Sequence, residues 1–193
     1  MPIFLAASVF LIAGCQTAMS NQATASVSTR DPETYPLRFK QHNFEAHCYN
    51  TLDCHVLYNG ANTTRTAVSR ATPAPVGADY KQNWGGAPFI GIRNFPGPVE
   101  IQWKAKSGAD LTAEVDLSEI FKNELVLHST PLDEIPEKAF KGPAGEPLII
   151  VEVNDRTVSV YMQMLIPTKS EQIPGNPNSH FRDDIVLAWS KTY

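Results

Sequence analysis

The strongest constraint on the fold is the strict alternation that begins at Val99. Val99, Ile101, Trp103 and Ala105 fall on one face, and Glu100, Gln102 and Lys104 fall on the other. Side chains alternating with a period of two belong to a strand with one dry and one wet face. Ser107-Gly108-Ala109-Asp110 supplies turn-forming residues, and Leu111-Thr112-Ala113-Glu114-Val115-Asp116-Leu117 then alternates again. Two alternating runs around a short Gly-containing turn predict a β-hairpin.

Much of the remaining chain carries strand signals too. Leu148-Ile149-Ile150-Val151-Glu152-Val153 is a nearly continuous apolar run, which suits a central strand covered on both faces. Asn154-Asp155-Arg156 turns it into another strand over residues 157–164. Residues 89–93 and 184–189 complete the set. Only residues 117–127 are predicted helical, with Ser118 as the candidate cap. Short strands between Pro- and Gly-rich turns predict a mainly β fold, a β-sandwich of antiparallel strands with a short helical insertion.

The N-terminus constrains location. MPIFLAASVFLIAGCQT has no charged residue from Ile3 to Gly14. A spanning helix needs about 20 apolar residues, whereas a secretory h-region needs about 7–15. Leu11-Ile12-Ala13-Gly14-Cys15 resembles the bacterial lipobox, in which cleavage before the cysteine leaves it lipid-modified. The pattern departs from the usual signal in one respect, because the first basic residue is Arg30. Residues 1–14 are therefore expected to be a lipoprotein signal peptide, with Cys15 the lipidation site. Gln16, where an Asp would favour inner-membrane retention, implies the periplasmic face of the outer membrane. Residues 15–34 are rich in Ser, Thr, Ala, Asn and Gln, a composition too poor in apolar surface to fold, and are expected to be a flexible tether. Residues 35–193 are then expected to form a single domain. The formal charge is only −4, and no basic run or nucleic-acid motif is present, which argues against nucleic acid as a partner.

With Cys15 assigned to lipid, two of the three cysteines remain. HCYNTLDCH places Cys48 and Cys54 between His47 and His55, so a metal site, a redox pair and a structural bridge all need weighing. An oxidising compartment favours a bridge. Phe44, Ala46 and Cys48 share one strand face, as do Cys54, Val56 and Tyr58, with a five-residue Asn- and Asp-containing loop between the cysteines. On a hairpin the cysteines would lie opposite each other, within disulfide range. The histidines alternate to the other face, which makes one tetrahedral site awkward. There is no C-x-x-C spacing for redox work. The expectation is a Cys48–Cys54 disulfide and no metal site.

No G-x-S-x-G elbow, H-E-x-x-H pair or Walker A loop occurs in the sequence. The neighbouring acids Asp133-Glu134 and Asp183-Asp184 would face opposite sides of a strand. The chain thus reads as a binding protein without a cofactor, not as an enzyme. Its candidate contact surface is two loops. One contains Trp84, Gly85 and Gly86, where the indole is either presented outward or folded onto the core. The other is the long polar stretch with Asn176, His180 and Arg182. Loops on a rigid scaffold are common binding surfaces.

The stretches HCYNTLDCHVLYNG, PVEIQWKAKSGADLTAEVDLSEIF, IIVEVNDRTVSVYMQMLIP and FRDDIVLAWSKTY resemble small proteobacterial lipoproteins of undefined function. Some of these are similar to immunity proteins encoded beside type VI secretion phospholipase effectors. The resemblance covers roughly residues 37–193 and rests on structural motifs, so it implies fold and location more than partner. It implies a lipid-anchored immunity protein that binds and inhibits a secreted lipase. The alternatives are a structural envelope lipoprotein of a secretion machine and a periplasmic enzyme without a recognised motif.

Metabolic labelling with an acyl probe is expected to mark the wild-type chain and not Cys15→Ser. Equal labelling of the two would remove the lipoprotein assignment.

Overall fold

The computed structural model describes residues 35–64, 71–86 and 89–193. The expected signal peptide, Cys15 and the tether lie outside the described residues. The protein is mainly β, with two packed sheets and a small two-stranded ribbon. The strands are β1 (Gln41–Tyr49), β2 (Thr51–Tyr58), β3 (Ala61–Asn62), β4 (Phe89–Arg93), β5 (Val99–Ala105), β6 (Asp110–Val115), β7 (Leu148–Asn154), β8 (Thr157–Gln163), β9 (Ile166–Pro167), β10 (Phe181–Arg182) and β11 (Ile185–Thr192). One sheet has the order β11-β8-β7-β1-β4 and the other β3-β2-β5-β6, while β9 and β10 form the ribbon.

The alternation that begins at Val99 becomes β5 and β6, paired antiparallel with Val99 opposite Val115 and Trp103 opposite Leu111. The apolar run becomes β7, flanked by β1 and β8. Ile149, Val151 and Val153 point into the inter-sheet core, where they meet Val56, Tyr58, Val99, Ile101 and Trp103 from the other sheet. Ile150 and Glu152 point the other way and are also buried. Burial on both faces explains why this strand does not alternate.

Three expectations need correction. Cys48 and Cys54 are bridged, with Cα atoms 6.4 Å apart, but they do not sit on a hairpin. β1 pairs with β4 and β7, whereas β2 pairs with β3 and β5. The chain leaves one sheet and enters the other across a single residue, Asn50, at φ 53°. Asn adopts this left-handed conformation more readily than most residues. Here Asn50 donates to the Asn154 side chain at 2.8 Å. The disulfide therefore clamps a corner between sheets. Second, β1 and β7 run parallel, an exception among the strand pairs of the described residues. Third, the predicted helix shrinks to α1 (Leu117–Ile120), followed by a 3₁₀ turn at Lys122–Glu124. Its cap is Asp116 rather than Ser118: the Asp116 carboxylate accepts from the Ser118 N–H at 2.8 Å.

The clamped corner is tied to other turns at the same end. Trp103 Nε1–H donates to the Asp155 carbonyl at 2.6 Å, and the Lys106 N–H donates to the Asp155 carboxylate at 2.9 Å. Deeper in the core, His42 has no exposed surface and bonds Asn94 at 2.8 Å and Tyr58 at 3.0 Å. Burial lowers its pKa below the usual histidine value, against the Asn94 bond that raises it.

Closing the short loop from Cys48 to Cys54 stabilises by about 2 kcal/mol in the chain-entropy model. Replacing both cysteines by Ser is expected to lower unfolding stability by at least about that much. Denaturant titration of oxidised, reduced and double-Ser protein measures it. Coincident unfolding curves for all three would show that the clamp contributes nothing.

Candidate functional site

The outer face of the five-stranded sheet carries a second, smaller cluster. Trp84, Ile150 and Tyr161 form its centre, with Tyr49, Tyr80, Leu148 and Ile185 packed around them. Residues 79–86 cross over this face. A 3₁₀ turn at Tyr80–Asn83 starts the crossing, held by Gln82 N–H to the Asp79 carbonyl at 2.9 Å and Trp84 N–H to the Lys81 carbonyl at 3.0 Å. Gly85, at φ +85°, ends it. That conformation suits glycine, and the Gly85 N–H donates to Glu45 Oε2 at 2.7 Å.

Trp84 is consequently not presented outward. It is 8% exposed, with its indole stacked on His47 at 5.0 Å and 10°. Its Nε1–H donates to Tyr49 Oη at 3.0 Å. Of the two orientations open from the sequence, the structure takes the inward one, because Ile150 and Tyr161 offer an apolar seat and Tyr49 satisfies the indole nitrogen. Gly85 and Gly86 remain exposed.

Beneath the crossing segment lies Glu152, 4% exposed. A buried carboxylate requires partners, and Glu152 has three. Tyr80 Oη–H donates to it at 2.5 Å, Tyr161 Oη–H donates at 3.0 Å, and Lys81 Nζ lies 3.9 Å away. Lys81 also donates to Tyr161 Oη at 2.7 Å. Burial pushes the Tyr80 phenol well above its ordinary value, reinforced by its bond to Glu152. Burial likewise raises Tyr49. Both phenols are therefore protonated at neutral pH, and Tyr80 donates its proton to Glu152.

An open cleft of about 570 Å³ adjoins this network. Asp79, Lys81 and Gln82 line it from the crossing segment, and Gln163, Asp183, Asp184 and Ile185 line it from β8 and the approach to β11. Gln163 Nε2–H donates to the Asp183 carbonyl at 3.1 Å, which fixes one wall. Asp184 accepts from Arg182 Nε–H at 2.8 Å, and Arg182 also reaches Ser129 at 3.1 Å. The Arg182 bond holds the Asp184 carboxyl below the usual carboxylate range.

The long polar stretch is not structureless. It is the turn of the β9–β10 ribbon, stitched by Gln172 N–H to the Ser179 carbonyl and Thr168 N–H to the His180 carbonyl, both at 2.9 Å. Asn176 is half-buried and organises the tip, its side chain accepting from Asn178 N–H at 3.0 Å. His180 is exposed. Neither residue lines the cleft. What converges there is the flanks of the two predicted loops, with Arg182 one bond away through Asp184. His47 and His55 point to the outer faces of different sheets, so the four residues around the cysteines do not converge. Among the described residues, no group of three or more His, Cys, Asp or Glu side chains is placed to hold a metal ion.

Sequence reasoning missed Tyr80, Lys81, Glu152 and Tyr161 as a unit. One signal was available: Glu152 is the only charged residue in a run expected to be covered on both faces, and such a carboxylate needs a partner from elsewhere. No family model, curated protein or solved structure matches this chain.

Trp84→Ala leaves a cavity over Ile150 and Tyr161 and is expected to cost about 3–5 kcal/mol of stability. Trp84→Phe should cost less, because a ring still fills the seat. Melting temperature and denaturant midpoint check this. An unchanged midpoint for Trp84→Ala would show that the crossing segment contributes no packing.

Proposed function

We propose that this chain is a lipid-anchored, periplasm-facing binding protein that acts as an immunity protein against a secreted phospholipase toxin. The observation that carries the binding reading is the convergence of two loop flanks, residues 79–82 and 183–185, on one open cleft held by a rigid sandwich. Most of the cleft side chains are polar, and Asp79, Gln82 and Asp183 are exposed, as suits the rim of a protein interface. The direction toward a lipase comes from the resemblance of the strand and cysteine stretches to small proteobacterial lipoproteins. The lipobox-like Leu11-Ile12-Ala13-Gly14-Cys15 supports the location.

Such a protein needs no chemistry of its own. A lipase acting at the membrane meets a tethered inhibitor at high local concentration, so moderate affinity suffices. With Trp84 turned inward, the contact surface consists of the exposed side chains around the cleft together with Gly85, Gly86, His180 and Arg182.

The test combines the purified full chain with a phospholipase encoded beside its gene. A stoichiometric complex and suppressed lipid hydrolysis are expected. Replacing Gln82 and Asp183 together by Ala should weaken affinity at least about tenfold, equivalent to about 1.4 kcal/mol, with melting temperature unchanged. Full lipase activity and no complex at micromolar concentrations would overturn the immunity reading. A complex that the double variant forms equally well would move the contact away from the cleft.

A further inference from the structure

Lys81 sits in an unusual position for a surface lysine. Its Nζ lies 4.1 Å from the centroid of the Tyr161 ring and 5.6 Å from those of Tyr80 and Trp84. The rings are set at steep angles to one another, 81° between Tyr80 and Trp84 and 64° between Trp84 and Tyr161. The buried carboxylate of Glu152 lies 3.9 Å from the same nitrogen. Three ring faces and a carboxylate around one ammonium make up an aromatic cage, the arrangement that recognises organic cations.

The cage does not depend on Lys81 for its shape. Trp84 is held by Tyr49 and His47, and Tyr80 and Tyr161 are held by Glu152. Lys81, by contrast, sits at the end of a flexible stem whose side chain is 32% exposed. It also forms part of the cleft wall. A lysine stem can swing into the cleft and keep its charge in water. Asp79 and Asp183, also on the cleft wall, have no ion-pair partner among the described residues, so the approach to the cage favours positive charge.

We propose that the cage of Tyr80, Trp84, Tyr161 and Glu152 is a binding site for a small organic ammonium entering through the cleft, and that Lys81 is its built-in competitor. The ligand's cationic group takes the position of the Lys81 ammonium, against the Tyr161 face and Glu152, while the lysine swings out. Affinity in the native chain is then set by competition with an intramolecular ammonium. A quaternary ammonium gains the ring contacts alone, whereas a primary ammonium also replaces the hydrogen bond to Tyr161 Oη. This assignment is independent of the lipase reading and needs no protein partner.

The test titrates tetramethylammonium and n-butylammonium separately into the full chain, with tert-butanol and sodium chloride as neutral and inorganic controls. Isothermal titration and the Trp84 indole N–H resonance report binding. Wild-type protein is expected to bind an organic ammonium measurably and saturably. Lys81→Ala and Lys81→Met, which remove the competitor, should bind at least about tenfold more tightly. Glu152→Gln in the Lys81→Met background should lose most of that gain. A preference for n-butylammonium over tetramethylammonium would identify a primary amine as the ligand class, and the reverse a quaternary one. Folded Lys81→Ala or Lys81→Met protein that binds neither cation overturns the proposal. So does wild-type protein whose response to both cations is no greater than its response to sodium chloride, because the cage would then serve only to latch Lys81.

Discussion

The rest of this structure depends on the corner at Asn50. β1 ends at Tyr49 and β2 begins at Thr51, and the two strands belong to different sheets. A single left-handed residue makes the change of sheet possible, and the Cys48–Cys54 bridge keeps the two strands from separating. Both sheets are thereby registered to one point. Trp103 and Asp155 tie the β5–β6 and β7–β8 turns to the same end. Side chains from the two inner faces then interdigitate as one core.

With that end closed, the opposite end of β8 is free to carry a surface feature. Gln163 closes the strand there and joins the cleft wall. The segment over residues 79–86 lies on the outer face of the same sheet, held chiefly by polar and aromatic contacts. Its polar anchors are Glu152, Glu45, Tyr49 and Tyr161, and its packing anchor is Trp84. Each polar anchor comes from β1, β7 or β8, the three adjacent central strands. Rigidity at the clamped corner and a built surface on the outer face are consequences of the same sheet order.

Much of the fold was legible because local pattern maps directly onto strand faces. The alternation from Val99 gave β5 and β6 with correct inward residues, and the apolar run at Leu148 gave a central strand. The inward set Phe44, Cys54, Val56 and Tyr58 is buried as the period of two requires. What failed was partnership. Alternation says which side chains face in, but not which strand lies alongside, so Cys48 and Cys54 read as a hairpin when they form a corner. The 117–127 segment failed for a related reason. Residues Asn123 and Glu124 adopt positive φ of 64° and 57°, which breaks the helix, and the following residue Leu125 bridges to Arg38.

The sequence by itself determined the β character, the inward faces of β1, β2, β5 and β6, the cysteine pair and the turns that join β5 to β6 and β7 to β8. These follow from side-chain periodicity and turn chemistry, which act over a few residues. Only the tertiary structure decided that β1 and β2 part company, that Trp84 lies inward, and that Lys81 meets Glu152 and Tyr161 across about 70 and 80 positions of chain. Those contacts join segments with no local relation to one another. They exist because a carboxylate buried on a covered strand must find partners, and Glu152 finds Tyr161 on the neighbouring strand and Tyr80 and Lys81 on the segment that crosses the sheet.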